Sequence, residues 1–170
     1  MQVIEVQTML ASKEFNLDSF MNTVVDRMEA LTSATGAVIE LIEGDDMVYK
    51  AASGSVASYV HLRLKRDGSL SGLCVSDREM KISPDTSKDD RVDAAACLKV
   101  AAASMICVPL FQGDDAVGVL KVVSNRANAF SEYDIHTLRL MAGVLGAALG
   151  RQLEVERRRE LENKSRDLDK

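Results

Sequence analysis

Apolar residues recur at helical spacing near both ends of the chain, whereas in the middle they alternate with polar residues or run without interruption. In the first ten residues the apolar positions step by three and four, which predicts a short amphipathic helix. A second helix is expected to open at Asn16 and to carry a broad apolar stripe as far as Leu31. From Ser131 the pattern stays helical to Lys170, with an acidic first turn.

The apolar runs between these helices predict strands. Residues 37–42 and 47–52 flank an acidic turn that contains a glycine, which favours an antiparallel hairpin. Residues 61–65 alternate in polarity and predict a short strand at a sheet edge. Residues 104–111 are apolar on both faces, so we expect a central strand that is covered on both sides, followed by a turn at 113–115.

Three shorter segments separate these strands. Residues 69–79 predict a short helix capped by Ser69, and residues 94–102 predict one or two helical turns. The polar stretch 80–93 between them is broken by Pro84, so most of it is expected to be loop. This order predicts an α+β fold. We expect a central antiparallel sheet of five or six strands with the terminal helices on one face and the short helices and loops on the other.

Composition narrows the class of protein. The 170 residues are 46% hydrophobic and 28% charged, with a formal charge of -5, which argues against binding to nucleic acid or anionic lipid. Aromatic residues make up only 4% and tryptophan is absent, so base stacking is also disfavoured. No apolar run reaches transmembrane length, and three well-separated cysteines fit reduced thiols. We therefore expect a cytoplasmic protein that does not insert into a membrane.

Three groups of residues resemble family motifs. Asp85, with Asp89-Asp90-Arg91, is similar to a "D-x-x-x-D-P-R-F" loop, and residues 104–124 are similar to an "S-hydrophobic-x-V-P-L … G-V-L-x-hydrophobic-x-S" hairpin. Asn125-Arg126, Phe130 and Asp134 resemble an "NK…F…D" signature. Together they resemble the GAF domain, a small-molecule sensor module of signalling proteins, over residues 17–149.

The resemblance implies a division of the chain into three parts. Residues 1–15 would form an N-terminal dimerisation or linker helix, residues 16–150 the GAF-like sensor domain, and residues 151–170 a signalling helix leading to an output domain. It implies a homodimer through the terminal helices and a diguanylate cyclase or histidine kinase as output, hence cyclic-di-GMP or two-component signalling. The fragment itself is not expected to be an enzyme, and no cofactor or metal is required by the sequence.

The resemblance also implies the residues of a ligand pocket, although the ligand is unknown. It places the pocket on the sheet face opposite the terminal helices, with a closing loop and two further walls. The period-two pleat agrees that Met105 and Cys107 share one side of the sheet, and that Lys121 and Val123 share one side. The expected pocket residues are Met105, Cys107, Lys121 and Val123 on the sheet, Asp85 and Ser87 on the loop, and Cys74 and Cys97 in the walls.

Lys121 is the sharpest candidate because an ammonium among valines needs an acidic partner. A ligand carboxylate or phosphate would provide one, and so would Asp85. The alternative is a lysine that snorkels near the strand end. If the partner is an anionic ligand, Lys121→Met is expected to abolish its binding.

Other residues of the motifs are expected to be architectural. Asp85 follows a proline and is expected to cap a turn, and Arg91 is expected to pair with Asp89 or with a backbone carbonyl. Arg126 and Asp134 are predicted to form a salt bridge over Phe130. Many relatives have an aromatic residue at the position of Ser87, so the resemblance implies a roomier pocket here.

Two alternatives remain open at the level of the sequence. Cys74 and Cys97 resemble the redox cysteines of free methionine-(R)-sulfoxide reductases, whose chemistry needs a thiolate and a resolving thiol. Those enzymes carry acidic residues where this chain has Met105, Lys121 and Val123, and small buried cysteines are also ordinary core residues. The second alternative is a purely structural dimerisation module with a collapsed pocket.

Overall fold

The structure is a computed structural model that describes residues 16–168, without the side chains of residues 153, 154, 156, 167 and 168. The helix predicted within residues 1–15 lies outside the described residues. The described residues contain four α-helices, six strands and two single 3-10 turns. They are α1 (Leu17–Leu31), β1 (Gly36–Glu43), β2 (Asp46–Gly54), a 3-10 turn (Ala57–Tyr59), β3 (Arg63–Lys65), α2 (Leu70–Asp77), β4 (Lys81–Ser83), a 3-10 turn (Thr86–Lys88), α3 (Ala94–Lys99), β5 (Ser104–Gln112), β6 (Asp115–Ser124) and α4 (Glu132–Leu168).

The six strands form one antiparallel sheet in the order β3-β2-β1-β6-β5-β4. This confirms the predicted α+β fold class with a central antiparallel sheet. The predicted hairpins form in both places, and β5 is buried from Ser104 to Leu110, as its apolar run predicts. Most of residues 80–93 is irregular, as predicted, but Lys81–Ser83 adds to β5 as an edge strand that the sequence did not indicate.

The two terminal helices cover one face of the sheet. The apolar stripe of α1 is buried there behind its cap at Asn16, whose side chain accepts a hydrogen bond from the Ser19 amide. At the start of α4, the Asp134 carboxylate accepts from the Ser131 amide at 2.9 Å and the Asp134 amide approaches Ser131 Oγ at 3.4 Å. This reciprocal capping arrangement fixes where α4 begins.

The period-two pleat divides the core into two clusters. On the helix face, Ile106 and Val108 of β5 pack with Leu120 and Val122 of β6 against α1 and α4. On the opposite face, their neighbours in sequence pack under α2 and α3. This second face, called the pocket face below, carries Met105, Cys107, Val119 and Val123. No helix within residues 16–168 is both long and apolar enough to cross a membrane.

Candidate functional site

Lys121 lies near the middle of β6, on the pocket face of the sheet. Its strand neighbours are Val38 of β1 and Cys107 of β5. The residue is 4% exposed, so the ammonium is fully inside the protein and does not snorkel to the surface.

Two side chains of the neighbouring strands satisfy this ammonium. Lys121 Nζ donates to the hydroxyl of Tyr49 at 3.0 Å and lies 3.3 Å from Glu40 Oε2. It also lies 4.9 Å from the centre of the Tyr49 ring, within cation–π range. The internal acidic partner is therefore Glu40, and the pairing with Asp85 considered from the sequence is wrong.

Ser71 of α2 completes the group. Its hydroxyl donates to Glu40 Oε2 at 2.6 Å, a short charge-assisted bond. Ser71 is placed by the tight seating of α2, because a Cβ on Gly72 would overlap the Arg66 carbonyl. Lys121, Glu40, Tyr49 and Ser71 together are called the polar cluster below.

The charges of the polar cluster support one another. Burial alone lowers the pKa of Lys121, but attraction to Glu40 and the hydrogen bond that Lys121 donates to Tyr49 outweigh it, and the pKa lies above its ordinary value. Burial raises the pKa of Tyr49, so its hydroxyl is neutral at physiological pH. The cluster therefore holds one ammonium, one carboxylate and two neutral hydroxyls.

A small cavity of about 20 Å³ lies directly beside the polar cluster. Such a volume holds about one water molecule. The cavity is bounded by the pocket face, by the start of α2 and by α3. Its lining is Leu64, Ser69, Leu70, Ser71, Val92, Asp93, Ala96, Cys97, Val100, Met105 and Lys121.

A larger cleft of about 830 Å³ opens on the other side of α3. Residues 86–90 form one wall, and Leu98 with Ala101–Ala103 forms an apolar one. Cys97 borders both the cleft and the inner cavity. It is also the one residue of α3 that is buried. Residues of this six-residue helix therefore line both spaces.

The structure brings together only part of the residue set expected from the sequence. Lys121, Met105 and Cys97 border the inner cavity, and Ser87 borders the outer cleft. The other four line neither space. Cys74, Cys107 and Val123 are buried in the pocket-face core, and Asp85 lies in the loop before the 3-10 turn.

The three thiols are buried and unpaired by disulfides. Burial raises the pKa of Cys107 to about 12 and also raises the pKa values of Cys74 and Cys97. Cys107 Sγ lies 3.8 Å from Ser71 Oγ, and Cys74 Sγ lies 3.6 Å from the Cys107 carbonyl. All three are therefore neutral thiols at physiological pH, which makes them weak nucleophiles.

Internal hydrogen bonds hold the loop between β4 and α3. Asp85 accepts from the amide and hydroxyl of Ser87, at 3.0 Å and 2.6 Å. Arg91 donates to both carboxylate oxygens of Asp89 and to the Ile82 carbonyl at 2.7 Å. The guanidinium holds the pKa of Asp89 well below its usual range. The aspartate–arginine motif is thus a brace between loop and edge strand, as the architectural interpretation expected.

The predicted Arg126–Asp134 salt bridge does not form among the described residues. Asp134 is buried and accepts from the amides of Ser33 and Ser131. Arg126 is exposed, and its carbonyl accepts from the Ser104 hydroxyl. The acidic residue of the signature therefore ties the end of α1 to the start of α4.

Sequence analysis did not identify Glu40, Tyr49 and Ser71 as residues of the site. One signal was available for Glu40, because it is a charge inside the apolar run Ala37–Ile42, just as Lys121 is in its own strand. The partner of an isolated buried lysine is best sought among buried carboxylates. Tyr49 and Ser71 carried no comparable signal.

Comparison with known proteins gives the same fold. The GAF domain of an Acinetobacter phosphoenolpyruvate-protein phosphotransferase aligns with 92% of this chain and 95% of its own, at a TM-score of 0.77 and 19% identity. The corresponding Coxiella burnetii domain gives 0.79 at 18% identity, covering 91% and 94%. The free methionine-R-sulfoxide reductase of Neisseria meningitidis gives 0.73 at 19% identity, covering 89% of each chain.

Sequence comparison identifies the family. No curated protein sequence is significantly similar to the chain. The sequence profile of the GAF domain matches residues 16–150, which is most of the chain and spans every element that builds the pocket face. The chain therefore belongs to the GAF domain family, whose members are small-molecule sensor domains of signalling proteins.

Proposed function

We propose that this chain is a regulatory sensor domain whose ligand binds between the pocket face and α3. The carrying observation is the polar cluster, of which Lys121 and Ser71 line a cavity too small for a metabolite. Residues of α3 line both that cavity and the open cleft, and Cys97 borders both spaces. In this proposal the structure corresponds to the closed state, and a ligand binds a state in which α3 has moved outward.

The attachment of α3 fits such a movement. The helix is six residues long and buries Cys97 alone. Beyond that, its end is held by the Tyr59 hydroxyl, which donates to the Lys99 carbonyl at 2.9 Å. Elements with little buried apolar surface open at low free energy, which a ligand can supply.

A pair of neighbouring alanines tests this proposal. Ala96 borders the inner cavity, whereas Ala95 is exposed on the same helix and borders neither space. Compounds that raise the melting temperature of the wild-type protein in a metabolite screen should lose that effect with Ala96→Leu. They should keep it with Ala95→Leu. Equal responses from the two variants would place the ligand elsewhere, and a full screen without any hit would contradict the sensor proposal.

We also propose that the domain forms a homodimer through its terminal helices and passes the ligand state to a C-terminal output domain. Every described side chain of α4 from Arg157 to Arg166 is exposed. Tyr133, Leu140 and Leu161 are 64%, 53% and 60% exposed, and their numbers differ by multiples of seven. Such spacing places apolar residues along one seam of a helix pair. A diguanylate cyclase or a histidine kinase remains the output that we propose, by analogy with the family.

We propose that the domain itself binds and does not catalyse. A sulfoxide reductase needs a thiolate at the substrate, and burial raises the pKa values of Cys74 and Cys97. Cys74 borders neither the cavity nor the cleft. Incubation with free methionine-(R)-sulfoxide and a thioredoxin system should therefore give no methionine. Turnover that disappears with Cys97→Ser would contradict the proposal.

A further inference from the structure

The charge of the polar cluster determines which ligands the proposed site can accept. Lys121 and Glu40 are 4% and 0% exposed, and they are 3.3 Å apart. The neutral hydroxyls of Tyr49 and Ser71 bond to them. The polar cluster, of which Lys121 and Ser71 line the cavity, therefore carries no net charge.

This neutrality matters because the site is desolvated. An anion placed against Lys121 would also lie near Glu40, so the attraction of one is largely offset by repulsion from the other. The anion would lose its hydration on entering, and the site has no unpaired cation to compensate for that cost. A cation next to Glu40 meets the same difficulty from Lys121.

The cluster nevertheless has unused hydrogen-bonding capacity. An ammonium has three N–H groups, of which the hydrogen bond to Tyr49 uses one, while Glu40 pairs with the charge at 3.3 Å. The Ser71 hydroxyl donates its hydrogen bond to Glu40 and keeps lone pairs that can accept. Glu40 Oε1 is buried without a hydrogen-bond partner among the described residues. At the cavity itself, Lys121 therefore retains at least one N–H donor and Ser71 Oγ retains an acceptor.

Most of the remaining lining is apolar and consists of Leu64, Leu70, Val92, Val100 and Met105. Ser69 and Asp93 are the polar exceptions, and the Asp93 carboxylate accepts from the Ala96 amide at 3.1 Å at the start of α3. A ligand suited to this site combines an apolar body with one polar end, and that end needs both a donor and an acceptor.

We propose that the site recognises an uncharged ligand that presents an amide or lactam edge to Lys121 and Ser71, instead of the anion that the sequence led us to expect. The amide oxygen accepts from Lys121 Nζ, and the amide N–H donates to Ser71 Oγ or to Glu40. This inference rests on the proposed function, because the cavity must widen to admit such a ligand.

Three matched probes test the charge of the ligand: benzamide, benzoate and benzylammonium, which share a ring and differ in the polar end. Each is titrated into the ¹⁵N-labelled protein, and the amide resonances of residues 70–72, 94–99 and 121 are followed. Wild type is expected to bind benzamide at least about tenfold more tightly than either ion. With Glu40→Gln the cluster gains a net positive charge, so benzoate binding should increase by at least about tenfold.

Glu43→Gln is the matched control, since it removes the same charge from the exposed end of β1. It should leave the order of the three probes unchanged. Should Glu40→Gln fail to fold, Lys121→Met/Glu40→Gln provides a second test. Benzoate should stay weak with this double variant, because no cation remains.

The outcomes separate the two proposals. Benzoate binding to wild type as tightly as benzamide would overturn the inference and leave the sensor proposal intact, and so would strong benzoate binding to the double variant. If no probe perturbs α3 or the polar cluster in any folded variant, the pocket does not open. The proposed function would then fail, and this inference with it.

Discussion

Glu40 and Lys121 are each tolerated in the core because the other is present. An isolated buried charge loses several kcal/mol of hydration, whereas a paired one recovers much of that through attraction and hydrogen bonds. Three of the four residues of the polar cluster lie on the strands β1, β2 and β6, and the fourth lies on α2. Through the bond from Ser71 to Glu40, the polar cluster links the sheet to the helix α2 that covers it.

Lys121→Met is expected to destabilise the protein by about 3–5 kcal/mol, because it leaves Glu40 buried without a cation. Lys121→Met/Glu40→Gln should recover most of that loss, since neither side chain is then charged. Urea denaturation measures both free energies of unfolding.

Lys50→Met provides the control for this pair of variants. Lys50 is a half-buried lysine of β2 that lies 3.4 Å from the surface residue Glu43. Its loss should be below about 1 kcal/mol. The free energies of unfolding lost in Lys121→Met and in Glu40→Gln can be compared with the loss in the double variant. If the two single losses add up to that of the double variant, the charges do not interact.

The thiols should differ in their reactivity with iodoacetamide. At pH 8 a thiol with a pKa of about 12, such as Cys107, is ionised in roughly one molecule in ten thousand. Cys97 is 8% exposed at the wall between cavity and cleft, whereas Cys74 and Cys107 are fully buried. We expect Cys97 to be alkylated at least about tenfold faster than the other two. Mass spectrometry of tryptic peptides measures this, and equal rates would show that α3 does not open separately from the rest.

At the residue scale, the resemblance to the GAF domain implied that Lys121 lies on the pocket face, but it did not identify the partner. The pleat agreed only that Lys121 and Val123 share a side of the sheet. Glu40, the partner of Lys121, lies on a strand remote in sequence, so only the strand order β1-β6 brings the two together. Asp85 was a plausible partner because the resemblance places it on the loop that closes the pocket, but its Oδ1 accepts hydrogen bonds from Ser87.

At the scale of the elements, α2 and α3 are attached very differently. Five residues of α2 are buried, and Gly72 allows it to approach the chain at Arg66 closely. Only Cys97 of α3 is buried. The fixed helix therefore positions Ser71 at the polar cluster, and the loosely held helix covers the cavity.

Gly72→Ala should destabilise the protein by about 1–3 kcal/mol, because the new methyl group displaces α2 from the Arg66 carbonyl. Gly143→Ala in α4 is the matched control. A Cβ there meets nothing within 4 Å, so helix propensity should stabilise the protein by about 0.5–1 kcal/mol. Thermal unfolding distinguishes the two, and equal shifts would show that the seating of α2 is not tight.

The sequence predicted most elements because each has a local signal. Asn16 and Ser69 cap their helices, and the central strand is apolar on both faces. β4 has no such signal. Its three residues form a strand because they pair with the edge of β5. Arg91 then donates a hydrogen bond to the Ile82 carbonyl. Edge strands of this length depend on tertiary contacts and not on local pattern.

At the scale of the whole molecule, α4 has two functions in the proposal. Its first half packs on the sheet face opposite the pocket, through Leu138, Leu145 and Leu149. Its second half continues without a break into the exposed stretch from Arg157 to Arg166. A rigid helix with both parts can carry a change in sheet curvature to whatever follows it, provided that its exposed seam is held by a partner.

This seam gives the last prediction. Leu161→Glu places a charge at the seam of the proposed helix pair and is expected to weaken self-association at least about tenfold. Asn163→Glu adds the same side chain on roughly the opposite side of the helix and should leave association unchanged. Sedimentation equilibrium of both proteins gives the dissociation constants. Because Leu161 is 60% exposed and lies well beyond the sheet, neither variant should alter the melting temperature of the monomer. A dimer that survives Leu161→Glu with the wild-type constant would assign the interface to another surface, and α4 would then end in solvent with no partner through which to signal.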